Sequence, residues 1–168
     1  MFSFFKKEKK EEPISMVENN LFAPVNGEVI SVTEVSDPVF SQKMMGDGFA
    51  VIPTDGDIYS PVEGVVLSVF PTKHAIGFQL ADGIEVLLHM GLETVEMDGK
   101  PFECFVQEGD QVTANTKVAT CDLEALAEAG KDNAIVVVIT SMEKVESYEL
   151  ITQGPTKVKQ VIGRVQHK

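Results

Sequence analysis

Tryptophan is absent from the 168 residues, tyrosine and cysteine occur twice each, and 14 Lys and Arg face 26 Asp and Glu. Each scarcity excludes something. A formal charge of −12 repels phosphates, which argues against nucleic-acid binding. It suits a basic protein partner, which an acidic rim would steer in. Cys104 and Cys121 have no metal-ligand spacing and no secretory signal ahead of them, so they read as reduced core thiols of a cytoplasmic protein. No apolar run approaches the roughly 20 residues that span a bilayer. No Gly-rich phosphate loop of the Walker type occurs, which argues against direct use of ATP.

What remains is an ordinary globular composition, 43% hydrophobic and 24% charged, with ten Phe supplying much of the bulk. The length suits one domain with a sizeable core. The first dozen residues stand apart. Met1, Phe2, Phe4 and Phe5 precede Lys6, Lys7, Lys9 and Lys10. As a short amphipathic helix, Met1–Lys10 would place aromatics in a lipid interface and lysines over anionic headgroups, a weak peripheral contact with the inner face of a membrane. The alternative is a flexible, solubilising start. Residues 1–18 are assigned to this tail and 19–168 to the domain.

From Pro13 to about Thr120, short Val-, Ile- and Phe-rich runs alternate with Gly, Pro, Asp and Asn, as in GEVISV, GFAVIP, GVVLSVF, AIGFQL and IEVLLH. Frequent turns between short strands predict an all-β fold, a compact antiparallel sandwich or barrel. One helix is predicted over Asp122–Ala129, with Asp122 as N-cap and Gly130 just past its end. A second short turn is expected around Met142–Glu146. The run Ala134–Thr140 lacks polar alternation and reads as a strand buried on both faces. The decamer APVNGEVISV at Ala23 returns as SPVEGVVLSV at Ser60. Pro sets a turn before each strand and Gly gives the freedom to enter it. This internal duplication predicts two similar β-units about one pseudo-symmetry axis.

The residues most informative about function are His74, in PTKHAIGF, and His89, in GIEVLLHMGLET. The Asp82-Gly83 pair between their strands signals a hairpin, because tight two-residue turns need φ > 0. With Asp82 and Gly83 central, Ala81 faces Ile84 and Ile76 faces His89. Alternation then puts His74, Ile76, Phe78, Leu87 and His89 on one face, the two histidines as diagonal neighbours about 7–8 Å apart. A four-residue loop would set them directly opposite on one face. A three-residue loop would send them to opposite faces.

The stretches DPVFSQKMMGDGFAVIP, SPVEGVV, TKHAIGF and DGIEVLLHMGLETVEMDGKPF resemble the EIIA domain of the glucose class of the bacterial phosphoenolpyruvate:sugar phosphotransferase system. The likeness runs from about Ala23 to Arg164. It implies a duplicated β-sandwich that carries phosphate on histidine between the small carrier HPr and an EIIB domain of a sugar permease, with no cofactor. Carried onto this sequence, the phosphorylated residue is His89, on Nε2, the supporting histidine is His74, and a supporting threonine falls on Thr72. The apolar docking rim falls on Val39, Phe40, Met44, Met45 and Phe70. Glu93 departs from the family, which more often has Asp there; its longer arm should still reach a partner's Arg. The lack of attached EIIB and EIIC segments reads as a free-standing version.

The chemistry suits these residues. A phosphoryl relay needs a nucleophile that is neutral near pH 7, which imidazole is. To leave Nε2 free, Nδ1–H needs an acceptor, and the turn at Met90-Gly91 offers a carbonyl. Such transfer is mainly positioning and electrostatics, so few groups suffice. Asp37, Asp47, Glu93, Glu96 and Asp98 would ring the patch for a basic carrier, although Asp47 and Asp98 also read as plain turn residues. Phe40, Met44, Met45 and Phe70 are expected to be exposed, a role flexible Met suits. Three rivals stand beside this reading. A zinc hydrolase would use His74 and His89 but needs a third protein ligand, and neither His-x-His nor H-E-x-x-H occurs; a regulatory zinc shared with a partner is the weaker form. A biotin- or lipoyl-type carrier lacks its hairpin-tip Lys. A purely regulatory binding protein would use the same face as the relay.

Overall fold

The computed structural model describes residues 18–168, so the amphipathic reading of Met1–Lys10 and the tail assigned to residues 1–18 fall almost wholly outside the described residues. Strands β1 (Glu18–Phe22), β2 (Gly27–Ser31), β3 (Asp47–Pro53), β4 (Asp57–Tyr59), β5 (Gly64–Val69), β6 (Ala75–Gln79) and β7 (Glu85–Met90) form the first half. The second half contributes β8 (Phe102–Cys104), β9 (Gln111–Val112), β10 (Lys117–Cys121), β11 (Ile135–Ile139), β12 (Val145–Leu150), β13 (Gly154–Thr156) and β14 (Val161–His167). An eight-stranded sheet runs β13-β2-β3-β11-β7-β6-β5-β9, and two three-stranded sheets run β1-β14-β12 and β4-β10-β8. Every pairing is antiparallel. The all-β expectation holds.

The inner face of the large sheet, with Phe49, Val51, Ile76, Phe78, Val86, Leu88, Ile135 and Val137, packs on Leu21 and Ile162 of one small sheet and Ile58 and Val118 of the other. A second, smaller apolar cluster lies on the outer face. There Ala50, Ala75, Leu87, Val136 and Val138 are covered by Val32, Val35 and Phe40 from the β2–β3 connection and by Leu92. These two layers explain why β11 is buried at all five positions, as its unalternating sequence predicts.

The duplication is visible in the backbone. Phe22 N donates to Pro61 O at 2.8 Å and Tyr59 N to Pro24 O at 2.7 Å. Each bond is the other's image when one decamer is laid on its repeat, the reciprocity that a local two-fold axis produces. The repeated glycines do the same job: a Cβ would lie 2.0 Å from Ile52 O at Gly27 and 2.2 Å from Gln79 O at Gly64.

Helix α2 (Leu123–Glu128) starts where predicted, with Asp122 accepting from Ala125 N, and Gly130 follows in the left-handed region. The turn after Ser141 is a 3₁₀ segment, Met142–Lys144. Helix α1 (Pro38–Ser41) is a single short turn capped by Asp37, whose side chain accepts from Val39 N.

The hairpin between β6 and β7 departs from expectation. Gln79 pairs with Glu85 and Ala75 with His89, and Leu80 N bonds Ile84 O, so the loop is the three residues Ala81, Asp82 and Gly83. Gly83 takes φ +96. The single-residue shift reverses the faces. Ile76 and Phe78 join the inner core, whereas Ala75, Gly77 and Leu87 accompany His89 outward.

Candidate functional site

His89 is the last outward-facing position of β7, between Ala75 of β6 and Val136 of β11. By strand parity alone His74 would point to the other face. It precedes β6, however, and follows Lys73, whose φ is +60. Outside the strand its side chain escapes the alternation, although its carbonyl still accepts from Met90 N at 2.7 Å. The two rings meet edge to face, centroids 4.9 Å apart. The convergence expected from sequence is therefore present, by a different route.

Each ring is anchored at Nδ1. That of His89 donates to Gly91 O at 2.8 Å, which leaves the Nε2 lone pair free. That of His74 lies 2.6 Å from Thr72 Oγ1; with the hydroxyl donating, the proton of the neutral ring sits on Nε2. The Gly91 carbonyl is itself held. Gly91 has φ +77 and donates to Ala134 O, and Leu92 N donates to Asp132 O. Thr94, fully buried, bonds Met90 O at 2.7 Å. Thr94 has no local signature of this role in the sequence, and the β11 partner of His89 comes from 47 residues away.

Burial lowers the His89 pKa from 6.5 to about 4, helped by repulsion from His74 and opposed by the Gly91 carbonyl and Asp37. Burial also lowers that of His74. Both rings are neutral at physiological pH. The unfolded chain protonates His89 near pH 6.5 and the folded one resists until about 4, so the folded state loses stability as pH falls through that window. The loss approaches about 3 kcal/mol at its lower end, and above the window the group contributes none. Chemical denaturation at pH 7.0 and 4.5 should show this slope flattened in His89→Gln; an unchanged slope would place the titration elsewhere.

The residues expected to form a docking rim divide. Val39, Met44 (69% exposed), Met45 and Phe70 are exposed, and Phe70 sets its ring edge to His74 at 5.5 Å. Phe40 corrects the expectation. It is 4% exposed, part of the outer-face cluster, with its ring 5.1 Å from His89. The single turn of α1 rotates it inward and presents Val39 to solvent. Met45 and Phe70 border a shallow cavity of about 250 Å³ that Gly77 and Leu87 also line. Asp37 and Glu93 line a hollow of about 300 Å³ with Leu92, Lys131 and Asp132. Glu96 is occupied by Lys131 at 2.6 Å and Asp47 by Lys43 at 3.4 Å.

Among the described residues no group of three or more His, Cys, Asp or Glu converges. Two imidazoles without a third protein ligand do not make the catalytic zinc site a hydrolase needs. Burial raises the thiol pKa of Cys121 to about 12, Asp122 adding to the shift, and raises that of Cys104 as well, which makes both poor nucleophiles.

The family model of the phosphoenolpyruvate-dependent sugar phosphotransferase system, EIIA 1, matches residues 19–145. The chain belongs to this family. Similar EIIA proteins include the PTS system glucose-specific EIIA component of Halalkalibacterium halodurans, 42% identical over 90% of this chain and 87% of that protein. The PTS system glucose-specific EIICBA component of Streptococcus pneumoniae serotype 4 is 45% identical over 87% of this chain. The chain spans only 20% of that longer relative. The solved glucose permease IIA from Mycoplasma capricolum superimposes with a TM-score of 0.78 at 37% identity, over 88% of this chain and 96% of the other. Among the described residues of this EIIA domain no helix is long and apolar enough to cross a membrane.

Proposed function

We propose that this EIIA domain carries a phosphoryl group on His89 between HPr and the EIIB domain of a sugar permease. The observation that carries the reading is the pair of anchored rings. Gly91 O holds the proton of His89 on Nδ1 and leaves Nε2 as a neutral nucleophile, with a second imidazole 4.9 Å away.

In the accepting step, the Nε2 lone pair attacks the phosphorus of phospho-HPr. A new N–P bond forms as the bond to the carrier breaks, and the carrier's side chain leaves with the bonding pair. The transferred group brings negative charge into a half-buried site. His74, its Nε2–H donating, offsets that charge, and Thr72 fixes the ring that donates. The onward step is the same exchange with the EIIB acceptor attacking. Neutral rings need no proton loss before attack, so rates should stay level from pH 8 to about 5.5 and fall as His89 approaches its own pKa.

The surroundings fit a basic partner. Exposed Val39, Met44, Met45 and Phe70 offer apolar contact, and Asp37 and Glu93 share a hollow suited to a cationic side chain. EIIB as acceptor is supported by the pneumococcal relative, whose name joins the A component to B and C. Regulatory binding of other proteins would use the same face. The direct test is incubation with phosphoenolpyruvate, EI and HPr, then mapping of the modified residue; phosphate on any residue other than His89 overturns the assignment.

His74→Gln separates the two histidines. The amide keeps a donor near the phosphoryl group, so uptake from HPr should persist while transfer to EIIB slows by roughly one to two orders of magnitude. Thr72→Val should act in the same direction and more weakly. Single-turnover rates for the two half-reactions check this. Equal slowing of both would make His74 a ring-packing residue only.

A further inference from the structure

We propose that Phe40 is the positioning residue of the nucleophile, its buried ring edge fixing the tilt of the His89 imidazole from the α1 side. The inference rests on His89 being the phosphorylated residue, and it gives Phe40 a role other than docking.

A single hydrogen bond at Nδ1 sets the direction of an imidazole but leaves rotation about that bond open. Two ring contacts close it: His74 at 4.9 Å and 77°, and Phe40 at 5.1 Å and 64°. Both are edge-to-face geometries, favoured by about 0.5–1.5 kcal/mol beyond burial. The two contacts differ in stiffness. His74 sits in a loop, whereas Phe40 is packed among Val32, Val35, Ala50, Leu87 and Val136. Its backbone is pinned as well. Asp37 Oδ1 accepts from Val39 N at 2.9 Å, Phe40 N donates to Asp37 O, and Met44 N reaches back to Val39 O. Phe70, by contrast, is 38% exposed and touches His74, not His89.

The chemistry of the ring matters too. Phe40 offers neither donor nor acceptor, so its flank gives phosphoryl oxygens on His89 no hydrogen bond, whereas His74 on the other side presents an imidazole. Its bulk also keeps water from one flank of the imidazole, which disfavours the charged form. The titratable groups that face His89 are His74, from the loop before β6, and Asp37, at the cap of α1.

The test uses Phe40→Leu in the full chain, with Val138→Ala, from the same cluster, as the packing control. Phosphoryl uptake from phospho-HPr and the NMR titration of the His89 ring are followed in both. Phe40→Leu should lower kcat by about tenfold with KM changed by less than about twofold. Its His89 midpoint should move up toward 6.5. Val138→Ala should lower the melting temperature and leave kcat, KM and the midpoint as they were. If Phe40→Leu folds poorly, Phe40→Met serves in its place. A raised KM with unchanged kcat would make Phe40 a docking residue and overturn the inference. A lower melt alone, or an unmoved midpoint, would overturn it as well. Wild-type protein that takes no phosphate on His89 would instead overturn the functional reading, and the titration arm would still decide whether Phe40 controls the ring.

Discussion

His89→Ala is expected to take up no phosphate from phospho-HPr, the largest functional effect of any single substitution in the chain. Among the described residues the only other imidazole beside it is that of His74, and geometry disqualifies that residue as a substitute. It is 6% exposed, and its Nδ1 is committed to Thr72 Oγ1 at 2.6 Å. Burial makes Cys104 and Cys121 poor thiolates. The substitution removes a partly buried ring at the end of β7 and leaves the backbone pairs of β7 with β6 and β11 in place. Folding should therefore survive. Acid-labile phosphate incorporation, measured beside circular dichroism on the same sample, gives the answer. Stoichiometric phosphate on a folded His89→Ala protein would mean that the nucleophile lies elsewhere.

Much of this site was legible because its signals are local. The histidine spacing, the Asp82-Gly83 turn and the Met90-Gly91 carbonyl all sit within twenty residues. The helix α2 carries its own cap, and β11 announces double burial by lacking polar alternation. The register of the β6–β7 hairpin was not legible, because Asp-Gly serves two-residue and three-residue loops equally well. Its error would have parted the histidines, had His74 been inside the strand. The left-handed backbone at Lys73 restores the meeting, and a Lys in that conformation has no sequence signature.

Phe40 shows the same limit from another side. It follows the turn-forming Asp37-Pro38 and precedes the polar Ser41-Gln42-Lys43, which argues for exposure. Its covering residues come from β3, β6, β7 and β11, and no short-range pattern reports them. Strands β12 and β14 lack a legible sequence signal for a related reason. β12 is exposed or half-exposed at five of its six positions, and β14 buries adjacent residues instead of alternate ones. Neither carries a clean period of two.

Among the residues that hold His89 in place, the largest structural effect is expected at Gly91. A Cβ there would lie 2.6 Å from Thr94 Cγ2, 3.1 Å from Asp132 O and 3.4 Å from Leu126 Cδ1. Thr94 cannot swing away, being fully buried and tied to Met90 O. The positive φ of +77 adds its own penalty, roughly 1–2 kcal/mol for a residue with a side chain. Gly130 provides the control, since its φ is +72 and nothing lies within 4 Å of its would-be Cβ. Gly130→Ala should cost only the backbone penalty. Gly91→Ala should cost about 3 kcal/mol in all, and lower the melting temperature by roughly 6–12 °C. It should also slow phosphoryl transfer in whatever protein remains folded, because Gly91 O is the anchor of His89 Nδ1. Melting curves of the two alanine variants isolate the steric part from the conformational part. Equal melts would show that the turn behind His89 has room to give, and that the carbonyl anchor is held less firmly than its packing indicates.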